Sequence, residues 1–135
     1  MSIRKVCIID DDEIYTCIIK RMIAGSGLAS SELFFPNGQE AIEFFKSNIS
    51  GKPDALPDVI LLDINMPVLD GWQFLDKFSL LDSPAQKDIP IFIVSSSIDE
   101  KDHRKAKSYP QVLDYVVKPV SLDSLKKLFD KVAMV

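Results

Sequence analysis

Asp58-Val59-Ile60-Leu61-Leu62-Asp63-Ile64-Asn65-Met66-Pro67 is an apolar run that ends abruptly in a carboxylate and then turns. A strand of this kind delivers its last acid to the carboxyl edge of a sheet, where ligands bind in open α/β proteins. Three other runs in the chain end in the same manner. Val6-Cys7-Ile8-Ile9 leads into Asp10-Asp11-Asp12, Ile91-Phe92-Ile93-Val94 into Ser95, and Tyr115-Val116-Val117 into Lys118. Acids, a hydroxyl and an ammonium at successive strand ends outline a metal-assisted phosphoryl site.

Outward from these runs the order is strand then helix, repeated. A weaker strand, Glu32-Leu33-Phe34-Phe35, is closed by Pro36. Ile14, Ile18, Ile19, Met22 and Ile23 recur at helical spacing, with Gly25 or Gly27 as the left-handed stop. Asn37 caps a helix whose apolar side carries Ala41, Ile42, Phe44 and Phe45. Asp70-Gly71-Trp72-Gln73 has capping-box spacing and opens a helix with Trp72, Leu75 and Phe78. Ser97-Ile98-Asp99-Glu100 has the same spacing and opens a polar helix over 99–109, and Ser121 caps a helix with Leu122, Leu125, Leu128, Phe129 and Val132 on one face.

Alternation of this kind specifies a parallel sheet covered by helices on both faces, since each right-handed crossover needs a helix. The continuously apolar runs at 6–9, 59–62 and 91–94 suit strands buried on both sides. The expected fold is therefore α/β, a doubly wound five-stranded parallel sheet. Loops are expected at 50–57 and 82–88, too short to be linkers, so residues 1–135 read as a single domain.

Composition sets limits on function. A hydrophobic content of 47% and a charged content of 27% are ordinary for a globular protein and argue against disorder. A net charge of −4 disfavours direct nucleic-acid binding, which needs a basic face. No apolar stretch reaches the roughly 20 residues of a bilayer-spanning helix, and the short N-terminal run meets aspartates too soon for a signal peptide, so no membrane insertion and a cytoplasmic location are expected. Cys7 and Cys17 lack metal-ligand spacing and read as two buried, reduced thiols.

Each candidate residue also has a plain structural explanation. The Asp10-Asp11-Asp12 run suits a solvated turn and helix cap. Lys118 suits a surface lysine, Ser95-Ser96-Ser97 a loop, and Asp63 a strand-to-turn residue. Converged carboxylates repel one another, however, and a hard cation such as Mg²⁺ resolves the repulsion. A carboxylate can accept a phosphoryl group, and an ammonium and a hydroxyl can hold its oxygens. The four strand ends taken together decide for chemistry.

The chain resembles, from Lys5 to Val132, the receiver domain of two-component response regulators, the CheY-like family with its flavodoxin-like fold. The resemblance is carried by the stretch from Asp58 to Gly71, the acids Asp10 and Asp11, the hydroxyl of Ser95, the aromatic Tyr115, and Lys118 with Pro119. It implies that Asp63 takes a phosphoryl group from a histidine kinase or histidine phosphotransfer protein. It further implies Mg²⁺ at Asp10, Asp11, Asp63 and the backbone carbonyl of Asn65, with Lys118 and Ser95 on the phosphoryl oxygens. Tyr115 and Ser95 would switch a face read by an unknown downstream protein. Such a domain is no general enzyme and catalyses only its own phosphorylation and dephosphorylation. The bond before Pro119 is a cis candidate.

The chain departs from the family pattern at Ser96, where alanine is usual, and at Lys107–Val112, where a small-residue stretch is usual. Altered autodephosphorylation and a reshaped output loop are the expectations. His103, the single histidine, reads as a surface residue. Two rivals remain at this level. A haloacid-dehalogenase-type phosphatase would require an acid where Asn65 stands, and a non-phosphorylated pseudo-receiver would act only as an interaction module. The sequence fits either a stand-alone receiver or one domain of a longer protein.

Overall fold

A computed structural model describes residues 3–48, 55–81 and 89–133. The loop expected at 82–88, and most of that expected at 50–57, lie outside the described residues. The strands are β1 (Ile3–Ile9), β2 (Ala29–Phe35), β3 (Val59–Leu62), β4 (Ile91–Ser95) and β5 (Val112–Val117). The helices are α1 (Glu13–Ser26), α2 (Gly38–Asn48), α3 (Gly71–Ser79), α4 (Glu100–Ala106) and α5 (Leu122–Ala133). All strand pairs are parallel, in the order β2-β1-β3-β4-β5. The doubly wound sheet expected from the sequence is thus present. Strand order reverses between β1 and β3, the switch point at which such sheets bind ligands.

Period-two alternation divides the core between the faces. Cys7, Ile9, Ile60, Leu62, Ile91 and Ile93 pack with α2, α3 and Ala106 of α4. Val6, Ile8, Val59, Leu61, Phe92 and Val94 pack instead with α1 and α5. Strands β1, β2 and β5 begin earlier than their apolar runs, because polar Arg4 and Lys5 separate the buried Ile3 from the run of β1, and the first residues of β2 and β5 are polar or only partly covered. Hydrogen bonding to a neighbouring strand holds those residues in the sheet without an apolar signal.

The caps show where local sequence decides structure. Asp70 forms the expected capping box with Gln73, and Asn37 and Ser121 accept from the backbone N–H groups of Glu40 and Ser124. Gly27, at φ 71°, supplies the left-handed end of α1. Three expectations need correction. Asp99, not Ser97, caps α4, and the helix ends at Ala106 rather than Tyr109. Cys17 is exposed while Cys7 is buried. Ile14 and Ile18 also face outward, because α1 turns Thr16, Ile19 and Ile23 to the sheet.

The turn after β3 is tight. Leu69 N donates to Pro67 O at 2.7 Å across Val68, which sits at φ 68°. This is a γ-turn, a strained conformation for a β-branched residue. The turn brings Gly71 against the strand end, and a Cβ there would lie 2.4 Å from the Asp63 carbonyl oxygen.

Candidate functional site

Strand ends collect the polar residues. Asp10 follows β1 and Asp63 follows β3, on either side of the switch point, and Asp63 N donates to Ile9 O at 2.9 Å. Asp10 and Asp63 are 2% and 6% exposed, so two carboxylates have been withdrawn from water side by side. Lys118 reaches across from the end of β5 and places Nζ 2.8 Å from Asp10 Oδ2 and 3.7 Å from Asp63 Oδ2. The Lys118–Pro119 peptide bond is cis, as anticipated.

The electrostatics follow from burial. Desolvation, followed by repulsion from Asp10, raises the Asp63 carboxyl to about 6, against the pull of Lys118 and the N–H groups of Asn65 and Ile64. Asp10 is also raised, chiefly by desolvation, which outweighs its hydrogen bond to Lys118. One ammonium therefore does not neutralise the cluster. Asp11 completes a group whose ligand oxygens, one each from Asp10, Asp11 and Asp63, lie within 4.8 Å of one another. Hard oxygen donors at that spacing, carrying surplus negative charge, fit a small divalent cation. Asn65 is exposed, and its N–H lies 3.5 Å from Asp63 Oδ1.

Ser95 is fully buried at the end of β4, and its hydroxyl accepts from Ser97 N at 3.2 Å. Tyr115 is half-buried on β5, and its hydroxyl donates to Ser97 O at 3.0 Å. Both residues thus converge on the backbone of one residue of the β4–α4 loop, Ser97, rather than on the carboxylates. The side chain of Ser97 is turned to Asp102, at 2.6 Å. His103 is only partly exposed, and its ring lies tilted against that of Tyr115 at 3.8 Å between centroids. Tyr109, in the loop that departs from the family pattern, stacks on Trp72 and donates to Asp76 at 2.8 Å.

The family model for the response regulator receiver domain matches residues 6–130. The chain belongs to the response regulator receiver family. A crystal structure of a two-component response regulator from Cytophaga hutchinsonii superposes with a TM-score of 0.89, at 29% identity over 100% of both chains. The transcriptional regulatory protein PrrA of Mycobacterium leprae is 32% identical over 93% of this chain and 48% of its own length. The receiver domain of the sensor histidine kinase PA1611 of Pseudomonas aeruginosa, described with magnesium coordinated in its active-site cleft, has a TM-score of 0.78 at 17% identity, covering 98% of either chain. This chain spans 79% of a probable methanogenesis regulatory protein but only about a quarter of the NtrC regulators it matches. As a receiver domain, it functions in two-component signal transduction.

One residue at the site carries no signal in the sequence. Tyr15, in the first turn of α1, places its ring 4.3 Å from Lys118 Nζ. Helical phase alone gives no reason to connect it with a strand end more than a hundred residues away.

Proposed function

We propose that the domain accepts a phosphoryl group on Asp63 from the phosphohistidine of a histidine kinase or histidine phosphotransfer protein, with Mg²⁺ held by Asp10, Asp11, Asp63 and the carbonyl of Asn65. The observation that carries this reading is the convergence of three carboxylates at the β1/β3 switch point, only part of whose charge Lys118 balances. Bound Mg²⁺ would supply neutralisation of phosphoryl-oxygen charge, the main requirement of phosphoryl transfer. An Asp63 oxygen attacks phosphorus as the phosphorus–nitrogen bond breaks. The electron pair leaves with the imidazole, which takes a proton from solvent, and an acyl phosphate remains on Asp63. Lys118 exchanges part of its pairing with Asp10 for the new oxygens, and Ser95 turns its hydroxyl from Ser97 N towards them.

The switch follows from that exchange. Ser97 offers its N–H to Ser95 and its carbonyl to Tyr115, so release of the first frees the backbone of the residue to which the second is tied. The surface formed by α4, β5 and α5 would then present a changed face to a downstream protein. On this reading the chain is a single receiver domain, catalysing only its own phosphorylation and dephosphorylation, and works in the cytoplasm. Among the described residues no helix is long and apolar enough to cross a membrane.

The test is intact-mass measurement after incubation with acetyl phosphate and Mg²⁺. One added phosphoryl mass is expected, lost in Asp63→Asn and on chelation of the metal. No added mass in the wild type sinks the reading, and labelling that survives in Asp63→Asn moves the acceptor elsewhere.

A further inference from the structure

Among the described residues, the Tyr15 hydroxyl is the buried side-chain polar atom without a hydrogen-bond partner. Such an orphan is costly, and a native site that retains one calls for a reason. Its surroundings point to that reason. The ring lies against Lys118 Nζ at 4.3 Å, and the same ammonium pairs with Asp10 and approaches Asp63. Tyr15 is also fixed through its backbone, since its N–H donates to the capping carboxylate of Asp12 at 3.0 Å. The neighbouring acids are already engaged: Asp10 by Lys118 and the Asp12 N–H, Asp63 by the Ile64 N–H.

We propose that the Tyr15 hydroxyl is a hydrogen-bond donor to an oxygen of the phosphoryl group on Asp63, acting beside Lys118 and Ser95. Burial, and then the charges of Asp10, Asp63 and Asp12, hold the phenol far above its ordinary titration range, so it is a donor at any physiological pH. A phosphoryl group brings acceptor oxygens into a space whose existing acceptors are occupied. The hydroxyl gains a charge-assisted partner only in the phosphorylated state, and therefore stabilises that state selectively. Tyr15 also packs against the apolar cluster beneath α1, so a purely packing role is the rival.

The inference rests on Asp63 as phosphoacceptor, and the experiment separates the two. Beryllofluoride with Mg²⁺ serves as the phosphoryl mimic, with affinity measured by calorimetry for wild type, Tyr15→Phe and Tyr15→Leu. Tyr15→Phe keeps the ring and removes the orphaned hydroxyl, so it is expected to keep or raise its thermal midpoint while binding roughly tenfold more weakly, the scale of one hydrogen bond to a charged group. Equal affinity in Tyr15→Phe and wild type, with loss only in Tyr15→Leu, assigns the residue to packing and overturns the proposal. In wild-type protein labelled with ¹³C at tyrosine Cζ, the resonance lost in Tyr15→Phe is expected to shift on adding the mimic, and an unmoved resonance overturns the proposal equally. Wild type that binds no beryllofluoride and gains no phosphoryl mass instead removes the Asp63 reading, and Tyr15 with it.

Discussion

Helices α3 and α4 cover the same face of the sheet by different means. α3 buries Phe74, Leu75 and Phe78, and Phe78 packs against Phe45 of α2 at 4.9 Å between ring centroids. α4 buries Ala106 alone. It is held at its rim by Ser97–Asp102, by the ring of His103 on Tyr115, and by Lys105 over Trp72. The loop just beyond it adds Tyr109, stacked on Trp72 and bonded to Asp76. Apolar burial is non-directional and difficult to exchange, whereas rim contacts can be remade one at a time. One wall of the site is thus a core element, and the other is an element that can re-pack without unfolding the domain.

Substitutions can break this contrast, beginning with the largest effect. Phe78→Ala empties a fully buried position and should cost about 3–5 kcal/mol by chemical denaturation. A cost below about 1 kcal/mol would deny α3 its role as the fixed wall. Gly71→Ala should cost about 1–3 kcal/mol, the scale of overpacking, because the new methyl meets the backbone of Asp63 and Ile64. It should also slow phosphoryl labelling, and normal labelling in a destabilised protein would separate the α3 junction from the acceptor.

Acid probes the same wall through its charge. Asp63 near 6 binds a proton more tightly in the folded protein than in the unfolded chain, so its ionised form opposes folding. The contribution of Asp63 to stability is fully present below about pH 4 and is lost as pH rises through about 6. In metal-free buffer, the stability of wild type relative to Asp63→Asn should increase from pH 7 to pH 4, and Mg²⁺ should flatten the dependence. A difference independent of pH without metal would refute the buried-carboxylate assignment. The smallest effect is expected from Tyr109→Phe, which removes the bond to Asp76. Global stability should change by about 1 kcal/mol or less, while amide exchange across α4 accelerates. Unaltered exchange there would mean that the rim contacts do not hold the helix.

The same division governs what could be read from the sequence. Asp10, Asp63 and Lys118 were legible because each interrupts an apolar run at the point where a strand must end, and order along the chain then brings them together. Asp70 was legible because its capping box is local. Ser97 was misread because Ser97 and Glu100 have cap spacing, yet its N–H, carbonyl and hydroxyl are taken by Ser95, Tyr115 and Asp102. Ser95 and Asp102 lie two and five residues away, outside cap spacing, and Tyr115 is a tertiary partner, so the cap spacing of Ser97 and Glu100 registers none of them. The exposure of Ile14, Cys17 and Ile18 failed for a related reason: the phase of α1 is fixed by which residues meet the sheet. Tyr15 and its ring contact with Lys118 depend on two elements meeting in space, for which the sequence carries no local mark.

The close approach of Gly71 to Asp63 has a mechanical consequence. With no room for even a methyl group between helix and strand, the start of α3 and the end of β3 form one rigid abutment. A load applied at Asp63 finds no give on that side. On the proposed phosphoryl-transfer reading it would be deflected across the sheet, through Ser97, into α4, which is fastened mainly at its rim. On that reading the direction of the signal would be set by where the molecule is stiff.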